Sequence, residues 1–294
     1  MVIDAHIHHY PAVIRDNPIA WAEKMGEPLW AKLIAPRSNR PSLQGWASTT
    51  GLLRAMDTAG VDRVVILGWY WQQQESCALQ NNWLAKLIKG YSDRFSGFAA
   101  VQPLGGQKAF EALKYAIDAG LCGIGECFPG AQGFCRDDPV WLDVLSWAEA
   151  NCLPVNLHVT EPVGRPFPGR TLSPLEDYLW WAKNFPKLKL ILAHWGGGLP
   201  FFELNSFCQK HLKNVYYDTA ASPLLYDQRI FQTVIGMIGK DRILYGSDYP
   251  LKLYPGRQKE PDFSSFITAI KGLKMEPSTE QALLGSNAQG LLGL

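Results

Sequence analysis

The 294-residue sequence predicts the α/β class, in the form of a TIM-like (β/α)8 barrel, on three observations. Short apolar, β-branched runs alternate with longer stretches of helical period, giving eight strand candidates along the chain. The strand interiors are almost continuously apolar, as expected of a parallel sheet covered on both faces. No Gly-x-Gly-x-x-Gly follows the first strand, which removes the main support for an open dinucleotide-binding sheet. Length alone suggests about two domains at roughly 150 residues each, but a barrel of this size is routinely one, and residues 1–294 are read as one.

The elements follow in order. Strands are expected over residues 2–8, 63–69, 95–102, 123–127, 154–159, 188–194, 215–219 and 243–247. A helix over 48–59 precedes the second strand, and helices over 76–89, 107–119, 139–151, 174–184, 199–212, 225–238 and 262–272 follow in turn. Gly60, Gly90, Gly120, Asn151 and Asn184 end helices where left-handed caps are wanted. One connection is abnormal. Residues 10–47 carry Pro11, Pro18, Pro28, Pro36 and Pro41 with Trp21, Trp30 and Trp46. An irregular insert after the first strand falls on the C-terminal face of a barrel, where it can serve as a lid, pack on the exterior or form a homodimer surface.

Composition excludes several classes. With 28 Lys+Arg against 27 Asp+Glu and no basic block, the chain has no electrostatic footprint for nucleic acid or an anionic membrane. No apolar run approaches the roughly 18 residues that span a bilayer. The start, MVIDAHIHHY, lacks the features of a signal peptide. Six scattered cysteines without a Cys-x-x-Cys read as reduced thiols, so a cytoplasmic protein is expected.

The histidines carry the chemistry. Five of six lie at or next to strand C-termini, namely His6, His8, His9, His158 and His194; His211 ends a helix. Strand C-termini converge on one mouth in a barrel. His6 and His8, two apart on a strand, share a face, and His9 points to the other. Four imidazoles buried together would leave nitrogens unsatisfied and repel one another when protonated; a divalent cation resolves both problems. Imidazole with carboxylate suits zinc and, less selectively, manganese, iron or cobalt. Asp248 ends strand eight, where it can ligate the ion and accept a proton. Glu126 ends strand four and faces the mouth. Asp4, two residues before His6, either orients a ligand or bonds to backbone.

His6-Ile7-His8, His158 after strand five, Ala193-His194-Trp195-Gly196-Gly197 after strand six and Tyr245-Gly246-Ser247-Asp248-Tyr249-Pro250 after strand eight resemble, in that order, the amidohydrolase superfamily. More narrowly they resemble its amidohydrolase-related (amidohydrolase 2) branch of metal-dependent hydrolases and carboxy-lyases. The resemblance implies His6, His8, His158 and Asp248 as metal ligands, with His194 either ligating a second ion or acting as acid/base beside a single one. Glu126 departs from the carbamylated-lysine pattern of the binuclear members, since strand four ends without a Lys. It is similar instead to the metal-bridging glutamate of TatD-like deoxyribonucleases. One ion is favoured over two.

The activity expected first is hydrolysis of an ester, lactone or amide in a small cyclic or aromatic acid. A metal-activated water would attack, with Asp248 moving its proton and His194 bonding the developing oxyanion. The alternative is decarboxylation of an aromatic or unsaturated acid. A TatD-like phosphoesterase and a non-catalytic binding barrel rank lower. Trp69, Tyr70, Trp71, Trp195 and Tyr249 at strand ends suggest an aromatic pocket, and Arg165 or Arg170 in the loop after strand five suits a carboxylate.

Overall fold

The computed structural model describes residues 1–36 and 42–294; residues 37–41, with Pro41, lie outside the described residues. The eight expected strands form, as β1 (Ile3–His8), β2 (Arg63–Leu67), β3 (Phe95–Ala99), β4 (Gly123–Cys127), β5 (Val155–Leu157), β6 (Leu190–Leu192), β7 (Val215–Asp218) and β8 (Ile243–Leu244). They pair in chain order, every neighbour parallel. Between β8 and β1 the ring is drawn together by backbone bonds from Ala5 N to Tyr245 O (2.7 Å) and from Asp248 N to His6 O (2.9 Å). The chain is therefore a nearly closed (β/α)8 barrel.

Most strands are shorter than the apolar runs that predict them. Beyond Leu157 and Leu192 the chain leaves the ladder, so His158 and His194 stand on turns above the sheet. His194 and Trp195 both take left-handed backbone angles, φ 57° each. Inside the lower half of the barrel Ile3, Val65, Leu67, Phe98, Ile191 and Leu244 pack together and are sealed by Ala288 and Leu291 of the C-terminal helix. Between strands and helices a larger cluster includes Ile7, Val64, Leu84, Trp141, Tyr178 and Trp181. Full burial of such side chains stabilises by roughly 1.5–3 kcal/mol apiece.

Two connections differ from expectation. The helix anticipated over 199–212 is a 3-10 stretch, Leu199–Leu204, and a helix, Ser206–His211. Asn205 divides them, because its side chain caps the second by accepting from Phe207 N at 2.9 Å. The insert after β1 is not irregular either. It holds helices Ala12–Arg15, Pro18–Met25 and Pro28–Ile34, the last two opened by prolines whose missing N–H costs nothing in a first turn. Trp21 and Trp30 turn into the chain's own cluster, 4.9 and 5.3 Å from the Trp71 ring. The buried Glu27 carboxylate pins the insert by accepting from Gln72 N (2.8 Å) and Gln73 N (3.0 Å). The insert thereby roofs the mouth of the barrel, with Leu29, Leu33 and Ile34 facing the cavity there. Among the described residues no helix is long and apolar enough to cross a membrane, and all six cysteines are free.

Candidate active site

The ends of β1, β4, β6 and β8 bring the predicted cluster together. His6 Nε2 lies 3.3 Å from His8 Nε2, and Asp248 Oδ1 stands 3.8 and 3.6 Å from the same two atoms. Glu126 Oε2 is 3.4 Å from His8 Nε2 and 4.0 Å from His6 Nε2. On the other side Glu126 Oε1 is 2.9 Å from His158 Nδ1 and 3.7 Å from His194 Nε2. Two groups of three donors result, His6 with His8 and Asp248, and His6 with Glu126 and His194. His158 falls in neither and joins through Glu126. His9 turns outward, as expected, and its Nε2 sits 3.2 Å from Thr49 Oγ1.

The largest omission from the sequence reading is Asp218, which ends β7 fully buried. Its Oδ2 is 2.8 Å from His6 Nδ1, and its Oδ1 accepts from the backbone N–H of His194 and of Ala220, both at 3.0 Å. A carboxylate can only accept from His6, so Nδ1 carries a proton and Nε2 is the nitrogen turned to the cluster. The signal existed: Asp218 closes a strand, as Asp248 does. Asp4 takes the other of its two expected roles. β1 slips against β2 between Asp4 (opposite Val64) and Ile7 (opposite Ile66), which inserts one residue and breaks the period of two. Asp4 Oδ1 accepts instead from the backbone of His6 (3.1 Å) and Ser247 (3.0 Å), tying β1 to the segment after β8. Gly246 leaves room for this arrangement, since a Cβ there would sit 2.8 Å from that of His6.

Charge explains why the site would attract a cation. Burial alone would push the His6 pKa down, but Asp218, Glu126 and Asp248 outweigh it and raise it to about 10. Burial works against ionised Glu126, yet His158 and His6, with hydrogen bonds from His158 and His8, hold its carboxyl well below the usual range. Three carboxylates thus face a few imidazoles in a space that demands positive charge. His194 Nδ1 lies 3.0 Å from Ala220 O, a carbonyl that can only accept, so Nδ1 donates there and Nε2 faces the cluster, 3.2 Å from His158 Nδ1.

The donor set fits a divalent cation. Two ligand atoms about 2.1 Å from a tetrahedral ion stand about 3.4 Å apart; the nitrogen atoms of His6 and His8 are 3.3 Å apart. Those two imidazole nitrogens face each other among carboxylate oxygens, an arrangement suited to zinc or manganese.

The cluster forms the floor of a cavity of about 530 Å3. Of the other predicted substrate contacts, Trp69 and Arg165 line it, and Trp69 stacks on Tyr70 at 4.2 Å. The remaining three lie elsewhere. Trp71 Nε1 donates to Gln80 Oε1 at 2.6 Å beneath the insert. Trp195 follows the left-handed His194 into the core, donating to Ser222 Oγ at 2.9 Å. Tyr249 stacks on Phe263 at 4.4 Å. Arg170 is spent on the carbonyls of Glu161 and Pro162. Sequence reasoning missed Phe128 and Thr160, which line the cavity beside His158.

Fold and floor together point to a class: barrel enzymes of a metal-dependent superfamily, with candidate ligands gathered where the strands end. The chain belongs to the amidohydrolase family, whose model matches residues 3–294. A curated relative, the 2-amino-3-carboxymuconate-6-semialdehyde decarboxylase of Dictyostelium discoideum, is 23% identical over 78% of this chain and 70% of its own. The crystal structure of 5-carboxyvanillate decarboxylase from Sphingomonas paucimobilis superposes with a TM-score of 0.77 at 16% identity, covering 100% of this chain and 99% of that one. The same enzyme from Novosphingobium aromaticivorans, complexed with manganese and 4-hydroxy-3-methoxy-5-nitrobenzoic acid, gives 0.73 at 17%, covering 100% and 96%. These relatives are decarboxylases. The comparisons therefore favour the alternative, carboxy-lyase reading over hydrolysis.

Proposed function

We propose that this protein is a metal-dependent decarboxylase of a small, planar aromatic or unsaturated carboxylic acid. The observation that carries the reading is the contrast within one cavity. Its floor gathers His8, Glu126, His194 and Asp248, while its wall is the flat aromatic surface of Trp69, Tyr70 and Phe128. The decarboxylases among its relatives support the same class.

Cleaving a carboxyl from carbon leaves an electron pair that must be taken up by a proton on that carbon as carbon dioxide departs. Asp248 stands on the floor within reach of a bound acid and is the group to deliver that proton. His194 offers an acceptor nitrogen, held in place through Nδ1 and Ala220, for a hydroxyl or amine proton of the substrate. Trp69 and Tyr70 hold the plane of the substrate by stacking. Arg165, exposed at the rim, suits a second carboxylate. His6, His8 and Asp248, with Glu126 and His194 beside them, would hold a divalent cation, zinc or manganese, which would supply Lewis acidity. One ion is the simpler assignment, because His6 belongs to both groups of three donors and the two share one neighbourhood.

The test is a carbon dioxide assay on manganese- or zinc-loaded protein with hydroxybenzoates, 5-carboxyvanillate and carboxymuconate semialdehydes, beside a panel of esters and lactones. Carbon dioxide release from an acid supports the proposal. Ester or lactone turnover with no carbon dioxide from any acid overturns it in favour of hydrolysis.

A further inference from the structure

The cavity wall that the loop after β5 contributes, beyond Thr160, is not uniformly apolar. Glu161 lines it, and its Oε1 is buried with no hydrogen-bond partner. Thr171, from the same loop, also lines it with a buried and unpartnered Oγ1. Tyr226 reaches the same wall from the segment after β7. Its phenol is pushed up by burial, by the charge of Glu161 and by a hydrogen bond to that carboxylate, which leaves Oε1 as the oxygen without a donor. The loop backbone is pinned, because Arg170 donates to the carbonyls of Glu161 and Pro162. A buried carboxylate oxygen without a donor is costly, by roughly 1–3 kcal/mol or more. Glu161 lies three residues past His158, in a loop that also brings Arg165 and Thr171 to the cavity lining.

We propose that Glu161, with Tyr226 and Thr171, is a distal recognition point that selects acids carrying an N–H or O–H donor on the end remote from the carboxylate that is lost. The inference rests on the decarboxylase reading for which end of the acid meets the floor, but recognition at Glu161 is read by binding. The carboxylate would accept from the donor, Tyr226 would buttress the same group, and Thr171 Oγ1 would take up a second hydrogen bond. Arg165 at the rim and Glu161 in the wall are of opposite sign and share one loop without forming an ion pair among the described residues. The loop can therefore sort substrates by substituent, taking an amine or hydroxyl at Glu161 and a second carboxylate at Arg165.

The probes are three acids that differ only at the remote position: 4-amino-2-hydroxybenzoate, 2,4-dihydroxybenzoate and 2-hydroxy-4-methylbenzoate. Their dissociation constants are measured on manganese-loaded wild type, Glu161→Leu and Glu161→Gln by quenching of tryptophan fluorescence. The wild type should bind the amino and hydroxy acids about tenfold or more tighter than the methyl acid, the range expected of a hydrogen bond to a charged group. Glu161→Leu should erase or invert that ratio, and Glu161→Gln, which keeps an acceptor oxygen and the shape, should retain part of it. The two arms separate amine from hydroxyl recognition. Equal binding of all three by wild type, an unchanged ratio in Glu161→Leu, or no binding of any overturns the proposal. Should the ratio hold while no acid releases carbon dioxide, the recognition point stands and the decarboxylase reading falls. If carbon dioxide is released with no preference for a donor, the reverse follows.

Discussion

The lower and upper halves of the barrel interior are built from the same strands and obey opposite rules. Below, Ile3, Val65, Leu67, Phe98, Ile191 and Leu244 close on one another and on Leu291, so burial there contributes stability at about 25 cal/mol per Å2. One residue beyond Ala5 the chain reaches His6. From there upward the interior is Glu126, Asp218, Asp248, His6, His8 and His194, all buried. Burying ionisable groups opposes folding unless each is paired. The lower half carries the stability that lets the upper half hold buried charge. Asp248 (φ 65°), His194 and Trp195 (φ 57° each) take left-handed backbone angles at the upper end.

The largest expected effect breaks the upper half alone. Asp248→Asn should lower carbon dioxide release by about 10²–10⁴-fold, the range for loss of a positioned acid–base group. Asparagine is among the residues that best tolerate a positive φ, so the fold should persist and the melting temperature should not fall. An Asp248→Asn enzyme with wild-type rate would remove Asp248 from the chemistry and reopen the assignment of the whole floor.

Phe98→Ala tests the lower half. Phe98 is buried on β3, a strand that contributes no candidate ligand, and its loss should cost about 3–5 kcal/mol of stability. Metal content and turnover per folded molecule should stay at wild-type levels. A fall in metal affinity equal to that of a ligand variant would show the halves to be coupled rather than separate.

Much of this division is legible in the amino-acid sequence. Strand ends follow from apolar runs, and the barrel rule sends His6, His8, Glu126, His194 and Asp248 to one mouth; their mutual distances of 3.3–4.0 Å follow that rule. Three features are not legible, each for a physical reason. The slip in β1 is invisible because a bulge leaves no mark in an apolar pattern, and it turns Asp4 from imidazole to backbone. Trp195 and Tyr249 follow strand ends and so are expected at the cavity, but side-chain direction there depends on backbone angles such as φ 57° at Trp195, which composition does not encode. The insert reads as irregular because helices of four to eight residues are too short for periodicity to register.

Asp218→Asn gives the smallest and sharpest break, because it changes one atom. The asparagine carbonyl can still accept from His194 N and Ala220 N, so the backbone of the β6 turn should hold. Its amide nitrogen would then face His6 Nδ1 and Asn156 Nδ2, where Asp218 Oδ2 now sits 2.8 and 3.3 Å away. Donor would meet donor at His6. Relief comes when the proton leaves Nδ1 for Nε2, which takes the lone pair away from the cluster. Metal affinity should drop about 10–100-fold, as for other partners that orient a ligand histidine, with the melting temperature of metal-free protein little changed. Competition with a chelator of known affinity reads the loss directly. Unchanged affinity would mean that Asp218 serves only the β6 turn, and that His6 keeps its tautomer by other means.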